Sequence, residues 1–317
     1  MSSKSNDHGR AYEYICLHSL QDAISAIRES QIIHNSSYYA AEQAWNTLSV
    51  AEKVLYEMSA KSTIDTIFAL EPNIVEIDND MLNLYIQSDD HGKEGDVRDI
   101  VIARKNIVWE IGLSIKHNHM AVKHSRLSKS LDFGQKWYGV NCSKEYWKTV
   151  KPIFDFLEKE KAKGTFFKKL ISKEDDIYVP LLKAFMQEVR TQVENGVNIP
   201  RKLVEYLLSK YDFYKVISLD NKRITTIQSF NMYGTLNQPS KIQKPSLRVP
   251  TMELPTTLLY VNFKPDSKTT VIMSFDNGWQ FSFRIHNAKD TVEPSLKFDI
   301  QIIGMPPEVN ITFNCKW

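Results

Sequence analysis

The stretch GDVRDIVIARKNIVWEIGLSIKHNHMAVKHSRLS, residues 95–128, decides the fold of this 317-residue chain. Two β-type runs, 97–103 and 107–116, flank the turn-like Arg104-Lys105-Asn106, a pattern that predicts a hairpin. Asp96 and Asp99 stand at the start of the first run and Lys116 at the end of the second. Side chains alternate along a strand, so Glu110, Ser114 and Lys116 share one face and apolar residues take the other. Carboxylates and a lysine at the ends of one hairpin suit metal-assisted cleavage of a phosphodiester. Acidic oxygens hold Mg²⁺, and the metal and the amine activate a water.

The usual form of such a site is an aspartate on one strand and an acid-x-lysine on its antiparallel partner. Here Ser114-Ile115-Lys116 supplies the lysine, but a serine stands where the acid is expected. Asp99 and Lys116 are the first candidates. The second carboxylate is open between Glu110 on the same face, Glu13 from an N-terminal helix, Asp96 beside Asp99, and Asp132 beyond the basic stretch. Glu110 is six residues from Lys116, roughly 20 Å along a straight strand. A bend or bulge at Gly112 would shorten that gap. A turn near residue 105 puts Asp99 opposite Ile111 or Gly112. The plain alternative is a solvent-exposed hairpin with charged ends. The apolar partners of Glu110 and Lys116 along 109–116 argue instead for a half-buried site. His117, His119 and His124 do not make a zinc pattern, because a structural site wants about four ligands and no cysteine is near. They read as loop histidines.

Outside this stretch, 42% hydrophobic and 25% charged residues describe an ordinary globular chain with enough material for a sizeable core. A formal net charge of +2 argues against a blanket polyanion binder and permits a local basic face. Cys16, Cys142 and Cys315 form neither a disulfide framework nor a metal cluster, which points to the cytoplasm. The N-terminus has no apolar signal core, and no run reaches the ~20 apolar residues of a membrane span.

Residues 1–8 read as loose, and a helix opens at Gly9. A helical stretch covers about 38–70, broken by an N-cap at Ser49 and stopped by Pro72. Helices follow over 144–171 and 177–209. From about 214 the pattern turns to strands, interrupted by a proline-rich connection over 239–255. The fold class is therefore α/β in the mixed α+β sense. Residues 1–213 form a helical and catalytic region with its core hairpin at 96–118, and 214–317 form a mostly β region suited to DNA recognition. Lys123, His124, Arg126 and Lys129 fit phosphate contacts. Arg223, Gln228, Asn231, Arg284 and His286 offer groups that pair with base edges.

The segments GRAYEY (9–14), GDVRDIVI (95–102), WEIGLSIKHN (109–118), VKHSRLS (122–128), LDFG (131–134), GWQFSFRIHNA (278–288) and EPSLKFDI (293–300), in this order, resemble the HaeIII type II restriction endonuclease family. The resemblance runs from near residue 9 to near residue 304. It implies a PD-(D/E)xK nuclease core, a Mg²⁺ requirement, and cleavage of double-stranded DNA centrally within GGCC to leave blunt ends. It also implies a cognate DNA methyltransferase. Asp99 matches the motif's aspartate, Lys116 its lysine, and Glu13 the acid of the N-terminal helix. A palindromic site suggests a homodimer. Two rivals are a non-catalytic DNA-binding protein on a nuclease-like fold, fed by Ser114, and a structure-selective DNA repair nuclease.

Overall fold

The computed structural model describes residues 4–88, 95–118 and 123–317. In chain order its elements are α1 (Lys4–Ser25), β1 (Ser30–Ile32), α2 (Ser36–Asn46), α3 (Val50–Lys61), α4 (Ile64–Leu70), α5 (Pro72–Val75), β2 (Leu82–Ile86), β3 (Ile100–Arg104), β4 (Trp109–His117), β5 (Lys123–Ser128), α6 (Phe133–Tyr138), α7 (Lys144–Ala162), α8 (Val179–Glu194), α9 (Ile199–Leu207), β6 (Phe213–Leu219), β7 (Ile224–Phe230), β8 (Leu258–Phe263), β9 (Thr270–Phe275), β10 (Gln280–His286), β11 (Ser295–Gly304) and β12 (Thr312–Lys316). The mixed α/β class expected from the sequence is observed. Among the described residues no helix is long and apolar enough to cross a membrane.

The chain divides into two compact units. One comprises Met1–Met120, Ser209–Glu253 and Pro307–Trp317, the other Ala121–Leu208 and Leu254–Pro306. The first unit is built on a seven-stranded sheet ordered β1-β2-β3-β4-β6-β7-β12. β1 runs parallel to β2 and β4 parallel to β6, and the remaining pairs are antiparallel. Ile111, Leu113 and Ile115 of β4 join Ala11, Tyr12, Ile15 and Cys16 of α1 in one buried cluster. That spacing on α1 is the apolar stripe of an amphipathic helix, and it lays the helix along the core side of the sheet. The helix begins at Lys4, ahead of Gly9, because nothing in residues 4–8 breaks it. Ser49 caps α3 as expected, in a capping box with Glu52. The helical stretch ends at Leu70, just ahead of Pro72 as expected, and Pro72 then opens the separate short α5 as its first residue.

The hairpin turn is displaced from its expected place. Ile107 and Val108 read as strand residues but lie in the turn, where Val108 takes φ 49° and is 95% exposed. The register runs from Ile100↔Leu113 to Arg104↔Trp109. Asp99 therefore falls beside Ser114, not beside Ile111 or Gly112, and its amide donates to the Leu113 carbonyl at 2.8 Å.

Gly112 makes no bulge. The pairing passes through Val101↔Gly112 without a shift. The missing side chain makes room for Arg98: a Cβ at 112 would stand 2.0 Å from Cδ of Arg98. Gly112→Ala is expected to expel that arginine and to cost about 1–3 kcal/mol, the usual penalty for overpacking a filled site. Urea unfolding of the variant checks this, and an unchanged midpoint would refute it.

The second unit holds a five-stranded antiparallel sheet ordered β5-β11-β10-β9-β8. Side chains alternate between the two faces along β10. Phe281, Phe283 and Ile285 are buried, while Ser282, Arg284 and His286 lie on the other face. The buried face meets Trp137, Phe185 and Phe298, whose rings pack edge-on or tilted at 5–6 Å spacings. Residues 123–128, the basic stretch in which His124 reads as a loop histidine, form the edge strand β5 instead. The strands after residue 213 do not make one sheet. β6, β7 and β12 complete the first sheet and β8–β11 build the second, because composition reports the presence of strands and not their partners.

Candidate active site

Asp99 immediately precedes β3, at the end of the strand pair where its carboxylate reaches the Ile115 amide. Its Oδ2 accepts from the Ile115 amide at 2.6 Å, from Lys116 Nζ at 2.9 Å and from Ser114 Oγ at 3.4 Å. The two strands thus bring together the aspartate and lysine singled out in the sequence. Both remain reachable, with side chains 23% and 30% exposed. Burial alone would lower the pKa of Lys116, but Asp99 and, behind it, Glu13 on α1 hold it above the usual lysine value. Glu13 therefore belongs to the electrostatic surroundings of this pair.

Glu110 and Asp96 do not belong to it. Both are bound to Arg98, whose Nη1 donates to Glu110 Oε1 at 2.7 Å and whose Nε and Nη2 donate to the Asp96 carboxylate at 2.7–3.0 Å. Tyr211 stacks on the same guanidinium, 4.2 Å from ring centre to Cζ. With no bulge at Gly112, Glu110 keeps its full distance from Lys116 along β4. Asp132 is also removed from the candidates, since its carboxylate caps α6 through the Gln135 amide and also accepts from the Cys142 amide. Among the described residues no group of three or more His, Cys, Asp or Glu side chains is arranged to hold a metal ion.

His117 is not a loop residue. It closes β4, with Nε2 2.7 Å from Asp220 Oδ2 and Nδ1 3.2 Å from the Tyr56 hydroxyl. His119 lies outside the described residues. The site also contains a lysine that the sequence reading missed. Lys215 on β6 is paired with Ser114 and is only 9% exposed. Burial, with the Lys116 charge nearby, pulls its pKa down to about 8. The signal for it is a lone lysine in the apolar strand FYKVISL, which marks a buried charge.

The candidate DNA contacts divide by environment. The side chains of Lys123 and His124 lie outside the described residues. Arg126 donates to Ser295 Oγ at 2.9 Å and to Glu293 at 3.3 Å, and Lys129 is paired with Asp155 and Glu158. Asn231 is buried, and its amide serves Pro250 and Leu236 within its own unit, so it is withdrawn as a base reader. Gln228 donates to Thr312 Oγ1 at 3.4 Å, and Arg223 sits over Trp317. Arg284 is exposed on β10. Strand pairing adds a residue the sequence did not single out: His286, Lys297 and Arg126 follow one another across β10, β11 and β5. His286 is held below the usual histidine pKa by burial and by Lys297 and Arg284.

Comparison with known proteins agrees with the short motifs. The model of the HaeIII restriction endonuclease family matches residues 9–306. The type II restriction enzyme HaeIII of Haemophilus aegyptius is 51% identical over 318 residues, spanning 100% of this chain and 99% of that protein. The chain belongs to the HaeIII restriction endonuclease family and is a type II restriction enzyme, a site-specific deoxyribonuclease.

Proposed function

We propose that this enzyme cuts double-stranded DNA centrally within GGCC, leaving blunt ends, with Mg²⁺ as cofactor and a PD-(D/E)xK-type centre at Asp99 and Lys116. The observation that carries the reading is the 2.9 Å contact between these two side chains on neighbouring strands, inside the family-matched region. The donors fit the ion. Mg²⁺ prefers hard oxygen ligands and is commonly held by one or two carboxylates, with waters and substrate phosphate completing its shell. Asp99 and Glu13 would hold it, which requires no larger acidic cluster.

When bound, the ion supplies Lewis-acid stabilisation of the phosphoryl group. Lys116, kept charged by Asp99 and Glu13, orients the attacking water and faces the negative charge that builds on the phosphoryl oxygens. Ser114, 2% exposed, does not replace the missing acid as a ligand; its hydroxyl steadies Asp99. The water oxygen bonds to phosphorus in line as the bond to the 3′ oxygen breaks. Exposed Arg284 and the cross-strand row of His286, Lys297 and Arg126 are suited to phosphate or base-edge contacts, as is Arg223. A two-fold symmetric site is matched by a homodimer. A cognate methyltransferase acting on the same sequence protects the host DNA in the cytoplasm.

Digestion of a plasmid of known sequence with Mg²⁺ tests the reading. Discrete blunt fragments ending at GGCC are expected, and no cutting or an unordered smear would defeat it. The second carboxylate is tested by comparing Glu13→Gln with Glu110→Gln. Loss of Glu13 is expected to lower cleavage by on the order of 10²-fold, while Glu110→Gln stays within about tenfold. The reverse ranking would return Glu110 to the metal.

A further inference from the structure

Strand register draws a polar row across the sheet of the first unit. The Gln87 amide donates to the Asp99 carbonyl at 2.9 Å, and the Asp99 carboxylate meets Ser114. Ser114 is paired with Lys215, Lys215 with Gln228, and Gln228 with Thr312. Directly paired residues point to the same face of a sheet, so these side chains stand in line across neighbouring strands. Lys116 stands two residues beyond Ser114 on the same face. Lys215 is thus within one strand spacing of Ser114 and in the electrostatic field of Lys116.

A buried ammonium is retained at a cost, and a second one beside it raises that cost. Asp99 carries the charge nearest to Lys116. An anion placed over Ser114 would complement both lysines, and the phosphodiester to be cut brings one there. Nε2 of Gln87, buried and with no hydrogen-bond partner among the described residues, adds a donor at the same row.

Building on the proposed Asp99–Lys116 centre, we propose that Lys215 is a second catalytic lysine, its ammonium meeting a non-bridging oxygen of the scissile phosphate from the strand beside Lys116. The two lysines divide the work. Lys116, fixed to Asp99, orients the water. Lys215 faces the phosphoryl oxygens as the water–phosphorus bond forms and the phosphorus–O3′ bond breaks. It keeps its protons throughout; the proton released by the water leaves to solvent, and the departing O3′ takes one from solvent. Its burial strengthens the interaction, because a preorganised charge in a low-dielectric setting acts more strongly on charge developing in the transition state.

The test uses the full chain with Lys215→Met and, in parallel, Lys116→Met. Three quantities are read: single-turnover cleavage of a GGCC duplex with Mg²⁺, affinity for the same duplex without metal, and the melting temperature. Lys215→Met is expected to cut about 10²–10³-fold more slowly, the scale for losing one transition-state donor. Its DNA affinity should fall by less than about tenfold, since other phosphate contacts remain. Its melting temperature should hold or rise, because an apolar side chain of similar length replaces a buried charge. Cleavage within about threefold of the parent overturns the proposal, being far short of the loss of one such donor. So does a variant that melts far below the parent or does not fold, which would assign Lys215 to the fold. If Lys116→Met is inactive while Lys215→Met is fully active, this inference alone fails; if both cut normally, the proposed centre itself is wrong.

Discussion

Asp99→Asn is expected to lower single-turnover cleavage by at least about 10³-fold while leaving DNA binding intact. The substitution keeps the shape of the side chain but removes its charge and one oxygen. Three interactions converge on Asp99 Oδ2, from the Ile115 amide, Lys116 Nζ and Ser114 Oγ. The variant loses a ligand for Mg²⁺ and the anchor that fixes Lys116, two contributions that each reach about 10²-fold or more. Binding without metal should be unchanged or tighter, since a carboxylate that would face a phosphate has been neutralised and repulsion falls. Gel-shift affinity and cleavage measured on the same duplex separate the two effects. If the Asp99→Asn enzyme cuts at the parental rate, Asp99 has no part in the chemistry.

That pair was legible in the sequence because it is local. A hairpin places residues on either side of its turn together, and alternation tells which face they share. What local reasoning missed depended on partners far along the chain or on a turn it misplaced. Glu110 and Asp96 have the charge of metal ligands in the sequence, but Arg98, lying over Gly112, binds both. The clue was available in outline: an arginine between two aspartates, with a glycine two residues beyond Glu110 on the facing strand. Lys215 was not legible as part of the site, because its importance follows from a parallel pairing between β4 and β6, about a hundred residues apart in sequence. Lys129 and Arg126 looked free to bind phosphate because Asp155, Glu158 and Glu293 are distant in sequence. The strands after residue 213 were recognised, but alternation carries no record of which sheet each one joins.

The largest effect on stability is expected from Arg104→Met, which should cost about 3–5 kcal/mol at neutral pH, the range for breaking a buried ion pair from one side. Arg104 ends β3 with its side chain fully buried. Nη1 donates to Glu76 Oε2 at 2.8 Å and to the Asn73 carbonyl at 3.2 Å, Nε donates to Asp80 Oδ2 at 3.3 Å, and Nη2 is bound to Asp78. Arg28 is the other cation of the group, with Nη2 2.5 Å from Asp78 Oδ1. Methionine replaces the aliphatic stem but leaves Glu76 and Asp80, 4% and 6% exposed, without this partner. Burial pushes the Asp78 carboxyl up, yet the Asp80 amide and the two arginines together hold it below the ordinary aspartate value. A carboxylate with a depressed folded-state pKa stabilises the fold above its unfolded pKa and loses that contribution as pH falls through the folded value. Removing Arg104 takes away part of that depression, so Asp78 of the variant accepts a proton first on acidification. The stability gap between parent and variant should therefore be full at pH 7 and shrink as pH falls into the carboxylate range. Urea unfolding of both proteins across that range reads it directly, and a gap that stayed constant would mean that lost packing, rather than uncompensated charge, sets the cost.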